Sequence, residues 1–324
     1  MMDTNQSQMN ITVGLQYQGL LGIVLFFIQT AVPSCIFLFI NGTLLFTLRS
    51  KPVFRETSRY ILLYNLLFAD TVLLTNSQLL YIIAACRIRL TYPVCGAALM
   101  LSHLTTVISP LTLVVMSLER YAAVCYPLRH ATIITIKNTG VAIIVVWAFS
   151  SLSVIVRVFL ILSFPFAELE NLQMKDFCGK ESILLDPRSD IYEKTFTYFL
   201  FASAGVTVTW SYIGVMLAAR SASTDKASAK KARNTLLLHL VQLGLSISST
   251  IHNPLLFSIP KSLDRVTTVR IQIVIYLCII ILPRCLSGLI YGLRDQTIRP
   301  VFMHLCCQWK RSPSLSDVPT KDKV

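Results

Sequence analysis

Seven long apolar segments, separated by short polar or basic breaks, limit how this chain can fold more than any other feature. A helix needs about 20 mainly apolar residues to cross the ~30 Å hydrocarbon core of a bilayer, and each segment reaches that length. The chain is only 14% charged, whereas a soluble domain is about a quarter charged. We therefore predict an all-α membrane protein with spans at roughly 21–48, 59–85, 93–122, 139–162, 192–219, 235–259 and 268–291.

The distribution of Lys and Arg sets the expected orientation of these spans. If the N-terminus is outside, the cytoplasmic loops carry 18 basic residues and the extracellular loops 9, which is the bias of the positive-inside rule. Glycosylation sequons at Asn5 and Asn10 also favour an extracellular N-terminus, whereas a third at Asn41 lies within the first span. The chain then divides into an extracellular tail (1–20), a seven-transmembrane helix bundle (21–291) and a cytoplasmic part with a short amphipathic eighth helix and a tail (292–324).

Charge and composition argue against several classes of protein. The net charge is +13, but the basic residues lie in short clusters between spans, so we expect no nucleic-acid partner. No cysteine pair has zinc spacing and no nucleophile–base pair is evident, so we expect no metal, no cofactor and no enzymatic activity. A transporter or channel would need charge along a path, and away from the ends of the spans only Asp70, Arg157 and Arg284 supply it.

Two cysteines are expected to form a disulfide. Cys95 lies at the outer start of the third span, and Cys178 is the only cysteine of the long loop over 163–190. Both would face an oxidising compartment during synthesis, so a bond between them would fix the loop over the third helix. Cys86 has no obvious partner.

The third apolar segment ends on an adjacent acid and base in the stretch MSLERYAAVCYPLRH, residues 116–130. Arg120 follows Cys95 by 25 residues, which is ~37 Å of helix and enough to span a bilayer. Glu119 and Arg120 are therefore expected at the cytoplasmic edge of the membrane. We interpret the pair as a latch facing a cytoplasmic partner rather than as a buried structural ion pair.

This stretch resembles the end of the third helix in rhodopsin-like (class A) G-protein-coupled receptors, and of odorant receptors in particular. KARNTLLLHL, which ends at Leu240, SYIGVML at the end of the fifth span and LIYGLRD after the seventh are similar to odorant-receptor motifs. The resemblance is closest to fish-type odorant receptors. It implies a receptor for a small, waterborne odorant that activates a heterotrimeric G protein, of the stimulatory olfactory type, from the plasma membrane.

The resemblance also implies the roles of individual residues. The activation switch and G-protein contact would comprise Glu119, Arg120, Tyr121, Tyr212 and Tyr291. The ligand would lie in the outer half of the bundle, and helix counting suggests a lining of Ser102, His103, Thr106, Phe199, Ser203, Thr250, Asn253 and Tyr276. Ordinary helix–helix hydrogen bonding or packing is the alternative for each of these residues. Arg157 would either recognise an anionic ligand or extend to the lipid headgroups.

Polar landmarks within the spans complete the resemblance. Trp147 matches the fourth-helix landmark, and the expected intramembrane network comprises Asn41, Asp70, Arg284 and Ser287. Ser287 and Gly288 replace the usual Asn and Pro before Tyr291. We expect Arg284 to approach Asp70 in place of a sodium ion; the alternative is that Arg284 binds only backbone carbonyls. Cys306 and Cys307, beyond the seventh span, are candidates for palmitoylation, with an unmodified pair as the alternative.

A second functional hypothesis stays open at this point. The chain would then be a non-olfactory class A receptor for a small lipid or peptide, although its short loops leave little surface for a large peptide. Ser102 stands where aminergic receptors have an acid, and residues 268–291 lack the lysine that opsins need. Both absences argue against those two classes.

Overall fold

The computed structural model describes three long stretches of the chain and a set of single positions. The described residues are 31–86, 88–162 and 187–221, with 28, 178, 233–234, 236–237, 240–241, 244, 271, 274, 278, 282, 298–300 and 303. Several predicted site residues lie outside them, namely Asn5, Asn10, Thr250, Asn253, Tyr276, Arg284, Ser287, Gly288, Tyr291, Cys306 and Cys307.

The three long stretches are almost entirely helical. Their helices are α1 (Ala31–Ser50), α2 (Pro52–Arg55), α3 (Ser58–Ala85), α4 (Tyr92–Cys125), α5 (Pro127–Ile133), α6 (Ile136–Leu162) and α7 (Pro187–Ser221). Among the described residues, five of these helices are long and apolar enough to cross a membrane: α1, α3, α4, α6 and α7. They correspond to the first five predicted spans.

Prolines set where several helices begin. Pro52, Pro93 and Pro127 each lie in the first turn of a helix, where the fixed φ suits the helix and the missing N–H is not needed. Tyr126, directly before Pro127, has φ −131° and ψ 56° and so interrupts the helix. Helix α4 therefore ends at Cys125, shortly after the Glu119–Arg120 pair.

Helix α4 is the central element of the described bundle. It packs extensively against α3, α6 and α7, whereas α6 and α7 touch each other only slightly. Leu113 and Met116 of α4 join Leu44 of α1 and Leu63 of α3 in the largest buried apolar cluster. Because lipid tails are as apolar as leucine, such packing stabilises through van der Waals contact rather than through removal of water.

Isolated positions from later in the chain pack onto this framework. Ile298 is fully buried in the cluster that contains Leu48 and Phe54, and residues 298–300 are helical. Leu236 and Leu240, from the region of the predicted sixth span, contact apolar clusters of α7. The short amphipathic eighth helix predicted within 292–324 stays a prediction, because the structure describes only 298–300 and 303 of that region.

Candidate functional site

The Glu119–Arg120 pair lies near the end of α4, which we call the Arg120 end of the bundle. Nε of Arg120 lies 3.1 Å from Oε2 of Glu119, and Nε2 of His130 on α5 lies 3.9 Å from the other carboxylate oxygen. The Glu119 side chain is 9% exposed and that of Arg120 is 19% exposed. The acid is therefore more buried than the expected surface latch, and Arg120 is held beside it.

Tyr121, the next residue, joins α4 to α7. Its ring stacks on Trp210 at a centroid distance of 5.8 Å and packs with Tyr212 around the buried Val215. A Cβ atom added at Gly214 would lie 2.9 Å from Cδ2 of Tyr121 and closer still to Cε2. Only glycine therefore allows α7 to approach the ring this closely. Of the predicted switch residues, Glu119, Arg120, Tyr121 and Tyr212 come together at this end.

A hydrogen-bond chain links three helices in the middle of the bundle. The indole N–H of Trp147 on α6 donates to Oδ1 of Asn65 on α3 at 2.8 Å. The Asn65 amide in turn donates to the hydroxyl of Thr112 on α4 at 2.9 Å. The interior of a membrane offers no water to buried polar groups, so these groups must bond to each other. The two hydrogen bonds therefore fix the relative positions of α3, α4 and α6.

The predicted intramembrane polar network is described only in part. Asp70 on α3 is buried and accepts a hydrogen bond of 2.7 Å from the hydroxyl of Ser109 on α4. Asn41 on α1 is 1% exposed, and its amide atoms have no hydrogen-bond partner within the described part of the chain. The expected approach of Arg284 to Asp70 falls outside the described residues.

The opposite end of the bundle carries the expected disulfide, and we call it the disulfide end. Cys95 at the start of α4 is bonded to Cys178, with a Cα–Cα distance of 5.6 Å. The buried Cys95 packs against Ile161 of α6 and Leu99 of α4. Cys178 is therefore fixed beside the junction of α4 and α6.

Two of the predicted ligand residues, Ser102 and Thr106, already have hydrogen bonds within the bundle. The amide of Asn76 on α3 donates to the Ser102 hydroxyl and to the carbonyl of Ala98, both at 2.7 Å. The Thr106 hydroxyl donates to the carbonyl of Ser102, one turn earlier, also at 2.7 Å. Ser102 thus helps to join α3 to α4, while Thr106 satisfies its hydroxyl within its own helix.

His103 lies in an aromatic layer between α4, α6 and α7. Its Nε2 is 3.3 Å from the hydroxyl of Ser153, and its ring centroid is 6.0 Å from that of Phe196. Phe196 also stacks on Tyr192 at 5.8 Å and on Phe149 at 6.0 Å. The half of the bundle next to the disulfide end, which we call the disulfide half, therefore has an apolar wall with one polar imidazole.

The expected position of Phe199 is not supported. Its side chain is 66% exposed, while its helical neighbours Leu200 and Ala204 are buried. Phe199 belongs to an exposed stripe of α7 that also contains Val206, Trp210, Ile213 and Leu217. Phe196, one turn earlier, is partly buried, and its ring instead contacts His103. Ser203 is exposed as well, and its hydroxyl donates to the Leu200 carbonyl at 3.0 Å.

Arg157 on α6 neither reaches toward lipid headgroups nor stands alone. Its Nη1 lies 2.8 Å from Oε2 of Glu193 on α7, and the two side chains are only 6% and 8% exposed. Much of the rest of α6 is exposed, including Ile144 and Phe159 at 68% and 67%. A buried ion pair therefore joins α6, which carries many exposed apolar side chains, to α7 at the disulfide end.

Comparison with known proteins decides the family. Residues 40–306 match the 7 transmembrane receptor (rhodopsin family). The chain belongs to this family. The receptor is 33% identical over 262 residues to Odorant receptor 131-2 of Danio rerio, an alignment that covers 81% of the receptor and 79% of that protein. It is 25% identical over 295 residues to Olfactory receptor 4E2 of Mus musculus, which covers 87% and 90% of the two chains.

The family confirms several predictions at once. The receptor is a rhodopsin-like (class A) G-protein-coupled receptor similar to a fish odorant receptor, and its fold is the seven-transmembrane helix bundle. It is a multi-pass protein of the plasma membrane, and its family are signalling receptors rather than enzymes.

Sequence reasoning missed several residues that the receptor uses to join its helices. Glu193, the partner of Arg157, lies at the start of the fifth span. Asn65, Asn76 and Gly214 were not singled out either. Position along the helix offered a signal only for Glu193, because a lone acid inside a span requires a partner and Arg157 is a basic residue near the same membrane face.

Proposed function

We propose that the receptor is an odorant receptor that binds a small, waterborne ligand in the disulfide half of the bundle and activates a heterotrimeric G protein at the Arg120 end. The observation that carries this proposal is that Arg120 is paired with Glu119, while the adjacent Tyr121 packs against α7 at the same end of the bundle. A second support is the similarity to Odorant receptor 131-2 of Danio rerio.

The proposed orientation puts the disulfide end outside the cell and the Arg120 end in the cytoplasm. Disulfides form in oxidising compartments, so the bond between Cys95 and Cys178 favours this arrangement. The sequons at Asn5 and Asn10 favour it as well. Treatment with a glycosidase should increase the gel mobility of the receptor but not that of the double variant Asn5→Gln/Asn10→Gln. Equal mobility of both without any shift would count against glycosylation of the tail.

Ligand binding is proposed for the wall that contains Ser102, His103 and Thr106, together with Thr250, Asn253 and Tyr276, which lie outside the described residues. The described part of this wall combines aromatic rings with a few hydroxyl groups and one imidazole. Such a mixture suits a small molecule that is held by few directional contacts. Phe196 replaces Phe199 in this proposal because its ring contacts His103.

Activation is proposed to open the Arg120 end. The ligand would bias an existing equilibrium between closed and open forms. In the open form Arg120 would separate from Glu119. Tyr212 and Tyr291 would then pack around Arg120, and these residues would line the cleft for a G-protein helix. The short contact of Tyr121 with Gly214 gives α7 a direct mechanical link to this change.

Two further assignments remain part of the proposal. Arg284 would form an ion pair with Asp70, with a bound sodium ion as the alternative, because the negative charge of a carboxylate inside a membrane is unfavourable without a nearby cation. Cys306 and Cys307 would be palmitoylated, which would fix the helix near the buried Ile298 against the membrane.

A cAMP assay in cells that express the receptor tests the proposal. The probes are amino acids, bile acids, nucleotides and amines, and surface staining confirms delivery to the membrane. We expect at least one class to raise cAMP through the stimulatory olfactory-type G protein. A receptor that reaches the surface but responds only to a lipid or peptide, and whose transcript is absent from sensory neurons, would favour the alternative of a non-olfactory class A receptor.

A further inference from the structure

Within the described part of the receptor, the buried guanidinium of Arg157 uses only some of its hydrogen-bond donors. Nη1 faces Glu193, whereas Nε and Nη2 are buried and have no hydrogen-bond partner among the described residues. Nε–H and Nη2–H lie on one edge of the planar guanidinium and point the same way. This edge, which we call the Arg157 fork, matches the two oxygens of a carboxylate.

The Arg157 fork lies within reach of the outer surface of the bundle. Ile161, one turn further along α6, packs against Cys95 and Cys178, so Arg157 is only about 6 Å of helix below the disulfide. Ser153, one turn deeper, contacts His103 of the proposed ligand wall. The fork is therefore positioned between the disulfide and that wall, on α6.

The charge around the fork restricts what it can bind. Arg157 and Glu193 together are neutral, so adding a simple anion to this buried pair would give the group a net negative charge. A ligand that carries a balancing ammonium group avoids this penalty. The slight packing between α6 and α7 leaves room for the pair to separate around such a ligand, because few other contacts must be broken.

We propose that the Arg157 fork binds the carboxylate of a zwitterionic ligand, such as a free amino acid, whose ammonium group is balanced by Glu193. The inference rests on the proposed odorant-receptor function and assigns the chemical class of its ligand. Glu193 sets the preference for zwitterions over anions, since its charge repels an uncompensated carboxylate.

The cAMP response to the twenty common L-amino acids tests the inference. For the strongest agonist, the N-acetyl derivative lacks the ammonium group and the carboxamide lacks the carboxylate. We expect both derivatives to be at least about tenfold weaker than the parent, as loss of a charge-assisted contact predicts. A receptor that responds to another odorant class but to no amino acid overturns this inference and leaves the proposed function intact, whereas a receptor that responds to nothing overturns both.

Two variants test the residues themselves. Arg157→Lys keeps the cation that Glu193 needs but removes the planar fork, so surface expression should persist while sensitivity to the amino acid falls at least about tenfold. Arg188→Lys, an exposed position on α7, is the matched control. Glu193→Gln removes the carboxylate that Arg157 pairs with, so surface expression should fall. Its responses are therefore compared per receptor at the surface, where the preference should reverse and the N-acetyl derivative should become the better agonist. Unchanged sensitivity in Arg157→Lys and unchanged preference in Glu193→Gln, both corrected for surface level, would overturn the assignment.

Discussion

The ring of Tyr121 on α4 fills the space beside Gly214 on α7 that the side chain of any other residue would occupy. This contact joins the helix that carries the Glu119–Arg120 pair to the helix that carries Tyr212. The two helices cannot change their separation at the Arg120 end without moving this ring.

Gly214→Ala is expected to destabilise the closed receptor. The added methyl group meets the Tyr121 ring, and such overpacking costs about 1–3 kcal/mol. Gly205→Ala on the same helix is the matched control, because nothing lies within 4 Å of its added Cβ. Thermal unfolding of purified protein should therefore give a lower midpoint for Gly214→Ala than for Gly205→Ala. Combining Gly214→Ala with Tyr121→Ala should remove the difference, and equal midpoints of the two single variants would refute the contact.

Arg120→Ala should abolish ligand-dependent cAMP production while the receptor still reaches the surface. The proposed cleft for the G protein depends on this guanidinium. Glu119→Gln should instead raise basal cAMP roughly fivefold, because a neutral partner holds Arg120 less strongly than a carboxylate. Arg129→Ala changes an exposed basic residue on α5 and should leave both quantities unaltered. An intact response in Arg120→Ala would show that the pair has no role in coupling.

Trp147→Phe should lower stability without changing the shape of the core. It removes the N–H that Asn65 accepts and leaves a buried carbonyl oxygen unpaired, a loss of about 0.5–2 kcal/mol. Trp210→Phe provides the control, since its indole is 62% exposed and its stacking on Tyr121 can persist. Thermal unfolding in detergent measures both variants. A larger drop in the unfolding midpoint for Trp210→Phe than for Trp147→Phe would contradict a stabilising role for the hydrogen bonds that link Trp147, Asn65 and Thr112.

Removing one partner of the Arg157–Glu193 pair should strongly reduce surface expression. Arg157→Leu or Glu193→Leu breaks a buried ion pair by removing one of its members, which costs about 3–5 kcal/mol. The double variant Arg157→Leu/Glu193→Leu should recover much of the expression, because no buried charge remains. Flow cytometry of tagged receptor measures all three, and a double variant that is worse than either single one would argue against pairing.

The bounds of the membrane spans were predictable from the sequence because hydropathy alone defines a span. The third span was predicted at 93–122, and α4 covers Tyr92–Cys125; the second was predicted at 59–85, and α3 covers Ser58–Ala85. The disulfide was predictable too, since topology leaves Cys178 as the natural partner of Cys95.

Contacts between helices were harder to predict, because hydropathy does not specify how each helix is rotated. Phe199 was placed inside on the basis of depth, yet the rotation of α7 turns it outward and Phe196 inward. The same lack of rotational information hid the partners of Arg157 and Trp147. A tight contact such as Tyr121 with Gly214 depends on the distance between two helices, which no single segment encodes.

The hydroxyl group of Thr106, which donates to the carbonyl one turn earlier, has a consequence for how odorant preferences can diversify. When the hydroxyl of a threonine is hydrogen-bonded within its own helix, the side chain can present its methyl group to an apolar ligand. Rotation about χ1 can instead turn the hydroxyl toward a polar ligand. The backbone carbonyl that loses this hydroxyl still accepts its helical N–H hydrogen bond. A wall built from such residues tolerates chemically different molecules without any change in sequence, so small substitutions elsewhere suffice to retune selectivity.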